Sequence, residues 1–232
     1  MFLELKGIRK SYGEKENRVE VLKGIDIEVE KGEFVILLGP SGSGKSTLLN
    51  IIGGIDDCDE GSISIEGKIL ENMSEKQLSS YRREHLGYIF QQYNLIPDLT
   101  VRENIETGAY LSKHPLEIDP LVDVLGLKEH ADKLPAQLSG GQQQRTSIGR
   151  AIVKNPNILL CDEPTGALDY ATSKEIMKLI ETVNQTYHTT IIMVTHNDAF
   201  KDMADRVIRL RDGQIRKNYK NETKIRAEDL EW

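Results

Sequence analysis

The sequence predicts an α/β fold, with a mostly parallel sheet at its core, a small antiparallel β subdomain beside it and a helical subdomain inserted into it. Three observations carry this. Phe34 to Leu38, Ile158 to Cys161 and Thr190 to Val194 are short runs of consecutive apolar character, as expected of strands buried on both faces of a parallel sheet. Leu3 and Leu5, then Ile25, Ile27 and Val29 interleaved with Asp26, Glu28 and Glu30, alternate instead, as half-exposed antiparallel strands do. From about Tyr93 to Lys154 the pattern is helical, and Thr100 with Glu103, like Ser139 with Gln142, has the spacing of a capping box at a helix start.

Taken in chain order, the alternating strands form the β layer, and Phe34 to Leu38 opens the parallel core. A helix from Ser46 to Ile52 follows a glycine-rich turn. The helical insert occupies about 93 to 154, and the second core strand follows it. Ile176, Ile180, Val183 and Tyr187 recur at helical spacing after Asp169, which makes a crossover helix returning the chain to the third core strand. Lys217 to Trp232 reads as a short polar tail with no added regulatory domain. The expectation is one domain over residues 1 to 232.

Composition narrows the function classes. The 232 residues are 38% hydrophobic and 29% charged, enough to bury one sizeable core. With 30 Lys and Arg against 37 Asp and Glu, the net charge of -7 argues against nucleic acid as a partner held on a broad basic face. Cys58 and Cys161 lack metal-ligand spacing, so a reduced, cytosolic compartment is expected and neither thiol looks reactive. No apolar stretch approaches the roughly 20 residues that span a bilayer.

Each core run is followed at once by polar residues: the loop from Gly39, the pair Asp162 and Glu163, and Thr195 with His196. Ligands of open α/β sheets bind beyond the carboxyl ends of the strands, so the three segments predict one convergent site. Gly39, Pro40, Ser41, Gly42, Ser43, Gly44, Lys45 and Ser46 satisfy G-x-x-x-x-G-K-[ST] between a strand and a helix, the context that a phosphate-binding loop requires. Its backbone N–H groups can wrap phosphates, Lys45 can reach the β and γ phosphates of ATP, and Ser46 can ligate Mg²⁺. The core is thus expected to be that of a P-loop NTPase, with Thr47 continuing the binding segment.

Two adjacent acids by themselves usually mean a solvated loop. At the end of a buried strand, in a chain with a phosphate loop, Asp162 can instead hold Mg²⁺ and Glu163 can orient or deprotonate an attacking water. His196 alone reads as a structural histidine, but its position after the third run brings its imidazole near the γ phosphate. Gln91, at the junction of core and insert, is a candidate sensor of Mg²⁺ or water, and Tyr12 offers a π face for adenine.

Leu138-Ser-Gly-Gly-Gln142 has a plain explanation as a helix cap. A cap does not account for Gly140 and Gly141, each costing up to about 1 kcal/mol relative to Ala inside a helix, so close approach of something to bare N–H groups is expected there. With the following Gln-Gln-Arg145, the segment Pro-Thr-Gly-Ala-Leu-Asp169 and the final histidine, the chain resembles an ABC (ATP-binding cassette) nucleotide-binding domain over nearly its whole length. The resemblance implies that Ser139, Gly140, Gly141 and Gln142 contact the ATP held by a second copy, and that Asp169 links the two sites across a head-to-tail dimer. It also implies a separate integral membrane permease as partner, and a peripheral location on the cytoplasmic face of the cell membrane.

The stretch between Tyr12 and Leu22, Leu-Asn-Ile-Ile-Gly-Gly and Phe-Gln-Gln-Tyr-Asn-Leu-Ile-Pro97 look like the macrolide-exporter and lipoprotein-release subgroup. Arg145-Thr-Ser-Ile-Gly-Arg150 departs from the more usual Arg-Val-Ala-Ile-Ala-Arg, and Cys161 from an aliphatic or Ala, both keeping small or apolar character. The subgroup resemblance implies export or extraction of a substrate such as an antimicrobial, peptide or lipoprotein; mechanotransmission or peptide sensing with a membrane partner is the alternative.

Overall fold

In the computed structural model, which describes residues 1–231, ten strands form two sheets with six α-helices packed around them. Trp232 lies outside the described residues. In chain order the elements are β1 (Leu3–Tyr12), β2 (Val19–Val29), β3 (Phe34–Leu38), α1 (Lys45–Ile52), β4 (Glu60–Ile65), β5 (Lys68–Ile69), α2 (Glu75–His85) and β6 (Leu86–Ile89). They continue with α3 (Val101–Ala109), α4 (Ile118–Val124), α5 (Gly140–Ile152), β7 (Ile158–Asp162), α6 (Tyr170–Tyr187), β8 (Thr190–Thr195), β9 (Arg206–Arg211) and β10 (Gln214–Lys220).

The larger sheet has the order β10-β9-β3-β8-β7-β6, parallel from β9 to β6 with β10 antiparallel at one edge. The three apolar runs are its central strands. Their side chains alternate between two cores: Phe34, Ile36, Leu38, Leu159, Cys161, Ile191 and Met193 face the helices α3 to α6, whereas Val35, Leu37, Ile158, Leu160, Ile192 and Val194 face α1, α2 and the second sheet. Both faces need apolar side chains, so the sequence runs without alternation. Full burial of the five residues of β3 contributes on the order of 10 kcal/mol of gross transfer free energy.

The second sheet is antiparallel, ordered β2-β1-β4-β5, and buries Leu3, Leu5, Ile25, Ile27 and Val29 as the alternation predicts. One irregularity matters for function. Lys10 pairs with Leu22 and Ser11 with Glu20, so Val21 is an extra residue in β2, a bulge that redirects the backbone.

Both capping boxes occur, at Thr100 before α3 and Ser139 before α5. The helix α2 has no counterpart in the sequence reading: it carries only two buried residues, Leu78 and Tyr81, too few for a visible 3.6-residue period. The tail also differs from expectation. Strand β10 runs on to Lys220, and Ala227 and Leu230 are fully buried against α6, where Tyr170 Oη and Lys174 Nζ donate to the Leu230 carbonyl. Two apolar residues three apart fill one groove beside the helix, a pattern too short to stand out in a polar segment.

Candidate nucleotide site

Register places the three functional segments together. Leu38 is level with Thr195 and Asp162 with Val194, so Gly39, Glu163 and His196 all leave the sheet at the same edge. A cleft of about 570 Å³ opens there. Tyr12, Ser41, Gly42, Gly44, Lys45, Ser46, Thr47, Gln91, Asp162, Glu163 and His196, eleven of the residues singled out in the sequence, line it.

The loop geometry follows from its glycines. Gly42 and Gly44 have φ of +76° and +99°, in the left-handed region where a Cβ is strained. A Cβ at Gly44 would also lie 2.8 Å from Leu22 Cδ2 and 3.0 Å from the Val21 carbonyl. Gly39 and Pro40 belong to the loop backbone rather than to the cleft wall; a Cβ at Gly39 would lie 2.2 Å from the Leu210 carbonyl, so that glycine lets the loop pack on β9. Lys45 is buried, its ammonium donating to the carbonyls of Gly39 and Pro40 at 2.8 and 3.0 Å. Ser43 is buried with its hydroxyl unpartnered among the described residues.

Ser46 Oγ donates to Asp162 Oδ1 at 3.0 Å, bringing a hydroxyl and a carboxylate together from the loop and β7. Burial raises the Asp162 carboxyl above its ordinary range, the Ser46 hydrogen bond opposes this, and the neighbouring Glu163 charge adds to it. A carboxylate destabilised by burial and a neighbouring charge is what a cation would relieve, and hard oxygen donors suit Mg²⁺.

Glu163 has φ of +49°, uncommon for a residue with a Cβ, at a strain of about 1 kcal/mol or more. Its N–H donates to the Val194 carbonyl at 3.0 Å, so β8 holds it in that conformation. Its carboxylate accepts from His196 Nδ1 at 2.5 Å. An ionised carboxylate can only accept, which puts the proton on Nδ1. The histidine expected beside the γ phosphate is therefore paired first with the candidate base.

The signature segment lies elsewhere: none of Ser139, Gly140, Gly141, Gln142 and Asp169 lines the cleft. Ser139 Oγ accepts from the Gln142 N–H, Gln142 Oε1 accepts from the Ser139 N–H, and Gln142 Nε2 lies 2.9 Å from His130 Nε2. The structure gives the glycines an internal reason. A Cβ at Gly141 would lie 2.4 Å from the Thr172 methyl, and one at Gly140 2.9 Å from the Tyr93 hydroxyl. The close approach inferred from the sequence is thus made at least in part by the chain itself. Asp169 caps α6, its carboxylate accepting from the N–H of Thr172 at 3.0 Å and its hydroxyl at 2.6 Å. One cleft residue, Val21, went unnoticed in the sequence; the bulge that aims it inward shows only in strand register.

A convergent phosphate loop, acidic strand end and histidine at the edge of a parallel sheet define a P-loop nucleotide hydrolase. The sequence profile of the family described as ABC transporter matches residues 22–166. The chain belongs to this family and carries its ATPase domain. It is 47% identical to the bacitracin export ATP-binding protein BceA of Halalkalibacterium halodurans over 92% of this chain and 86% of that protein. It is 44% identical to the macrolide export ATP-binding/permease protein MacB of Shigella flexneri over 93% of this chain but 34% of that protein. A Mycoplasma pneumoniae relative named for an ABC transporter ATP-binding role is 46% identical over 99% of this chain, which spans about half of that relative's length, 50%. Among solved structures, a dimeric post-hydrolysis ATP-binding cassette bound to ADP and Pi superposes with a TM-score of 0.85 at 37% identity, covering 94% of this chain and 98% of that one.

Proposed function

We propose that this chain is the ATP-binding and ATP-hydrolysing subunit of an ABC exporter, working as an ATP-dependent head-to-tail dimer on the cytoplasmic face of a membrane permease carried on a separate chain. The observation that carries the reading is the placement of Lys45, Ser46, Asp162, Glu163 and His196 around one cleft at the end of three parallel strands. The names of BceA and MacB support export of an antimicrobial compound as the coupled process. Among the described residues no helix is long and apolar enough to cross a membrane.

In this reading ATP lies with its polyphosphate along the loop from Gly39 to Thr47, where N–H groups and the start of α1 meet the negative charge. Lys45 exchanges its two carbonyl partners for the β and γ phosphates. Ser46 and Asp162, with Gln91, would hold Mg²⁺, which supplies neutralisation of charge on the phosphate oxygens when bound. Glu163 orients the attacking water and accepts its proton, and His196 fixes the carboxylate through Nδ1. Ser139, Gly140, Gly141 and Gln142 of a second copy close over the γ phosphate, and Asp169 sits at the contact between the sites.

A mechanical route to the permease starts at the same place. Arg150 of α5 donates to the carbonyls of Tyr93 and Asn94 at 3.2 and 2.7 Å, and buried Asn104 of α3 holds Ile96 and Leu99. These bonds tie the segment following Gln91 to α3 and to α5, the helix that carries the signature, and it is the surface proposed to receive a short helix of the permease. Steady-state ATP turnover and co-purification with a polytopic membrane protein test the reading together. No turnover in the purified chain with or without that membrane protein would overturn it.

A further inference from the structure

Tyr12 is not simply an exposed aromatic beside the cleft. Its hydroxyl donates to Asp56 Oδ2, while Asp56 Oδ1 accepts from Lys10 Nζ at 2.6 Å. The same ammonium donates to the Asp57 carbonyl at 2.6 Å and lies 5.1 Å from the centroid of the Tyr12 ring. Lys10 and Tyr12 are two apart on β1, yet both reach one carboxylate that belongs to a different part of the chain. That carboxylate comes just after α1, beyond Gly53 and Gly54, whereas the phosphate loop leads into the amino end of the same helix.

We propose that Asp56 is a positioning residue for nucleotide binding: it fixes the Tyr12 ring relative to α1, and so sets the spacing between the platform for the base and the cradle for the phosphates. The inference rests on the nucleotide reading above and deepens it. Helix α1 spans eight residues, or about 12 Å at 1.5 Å per residue. It acts as a rigid spacer, with phosphate-binding N–H groups at one end and the Asp56 anchor past the other. Lys10 plays two parts. Its charge holds Asp56 ionised and in place, and its ammonium is held against the ring by attraction to the π electrons.

Stacking on the ring is tolerant of base identity, whereas a fixed ring position makes the base pay no ordering cost when it binds. The anchor should therefore matter for ligands that carry a base and not for bare polyphosphate. Calorimetric titration with ADP and with pyrophosphate, neither of which can be hydrolysed at a γ phosphate, separates the two. Asp56→Ala should weaken ADP binding about fivefold, the scale of one lost hydrogen bond of ordinary net strength, and leave pyrophosphate binding unchanged. Asp56→Asn, which still offers an oxygen to the tyrosine, should recover most of the loss. In a Tyr12→Ala background, Asp56→Ala should have no further effect on ADP.

Equal weakening of ADP and pyrophosphate, or an undiminished effect in the Tyr12→Ala background, would show that Asp56 acts by supporting α1 and would overturn the proposal. So would unchanged ADP binding in Asp56→Ala. If that variant fails to fold, Tyr12→Phe removes only the hydroxyl that donates to Asp56; it should show the same fivefold selective loss, and wild-type ADP affinity there would be equally fatal. Failure of the wild-type chain to bind either ligand would count instead against the nucleotide reading itself.

Discussion

Gly141→Ala tests what the signature glycines are for. The added Cβ would stand 2.4 Å from Thr172 Cγ2. Thr172 cannot easily turn the methyl aside, because its hydroxyl is held by Asp169 Oδ2 at 2.6 Å and its N–H by Oδ1 at 3.0 Å. Overpacking of this kind costs about 1–3 kcal/mol, and the better helix propensity of Ala returns at most about 1 kcal/mol. We expect a net destabilisation of about 1–2 kcal/mol in urea unfolding. Thr172→Ser removes the offending methyl and keeps the hydroxyl that bonds Asp169, so the double variant should regain most of that stability. The two substitutions should couple by about 1 kcal/mol or more in a double-mutant cycle. Additive effects would refute the packing argument. The double variant also separates two roles of the glycine: restored stability with restored ATP turnover would assign it to packing against α6, and restored stability without turnover would assign it to contact with nucleotide on a second copy.

Further expectations concern the cleft and the core. Glu163→Gln should keep ATP binding in equilibrium titration while slowing steady-state hydrolysis at least about a hundredfold, the scale of a lost general base; normal turnover would remove Glu163 from its role. Because burial and the Glu163 charge raise the Asp162 carboxyl, its ionised form costs stability above the ordinary carboxylate range. Asp162→Asn should thus raise the nucleotide-free melting temperature by about 2 °C or more and abolish the added shift seen with ATP and Mg²⁺; an unchanged response to both would contradict it. Burial lowers Lys154 to about 8, so between there and the ordinary lysine range the unfolded chain binds more protons and stability rises with pH. Unfolding at pH 8 and pH 10 should show the wild type gaining on Lys154→Met, and a loss would reverse the sign of the argument. Burial raises the Cys161 thiol and keeps it fully enclosed, so a maleimide should label it only after denaturation.

The sequence by itself determined the sheet core and the phosphate loop, because both are written locally. A strand buried on two faces must be apolar at every position, and a loop that wraps phosphate must place glycine and lysine at fixed intervals. It also showed the capping boxes at Thr100 and Ser139, where three residues suffice to satisfy the free N–H groups of a helix end. Helix α2, the docked Ala227 and Leu230, and Val21 in the cleft wall were invisible, since each rests on contacts with residues distant in the chain or on strand register. Only the tertiary structure revealed that His196 meets Glu163, that Thr172 fills the space beside Gly141, and that Asp56 ties Tyr12 to the helix behind the phosphate loop. Short-range rules fix which residues a segment must contain; the distances between segments arise when the two cores close on the sheet, and those distances decide what the side chains can do.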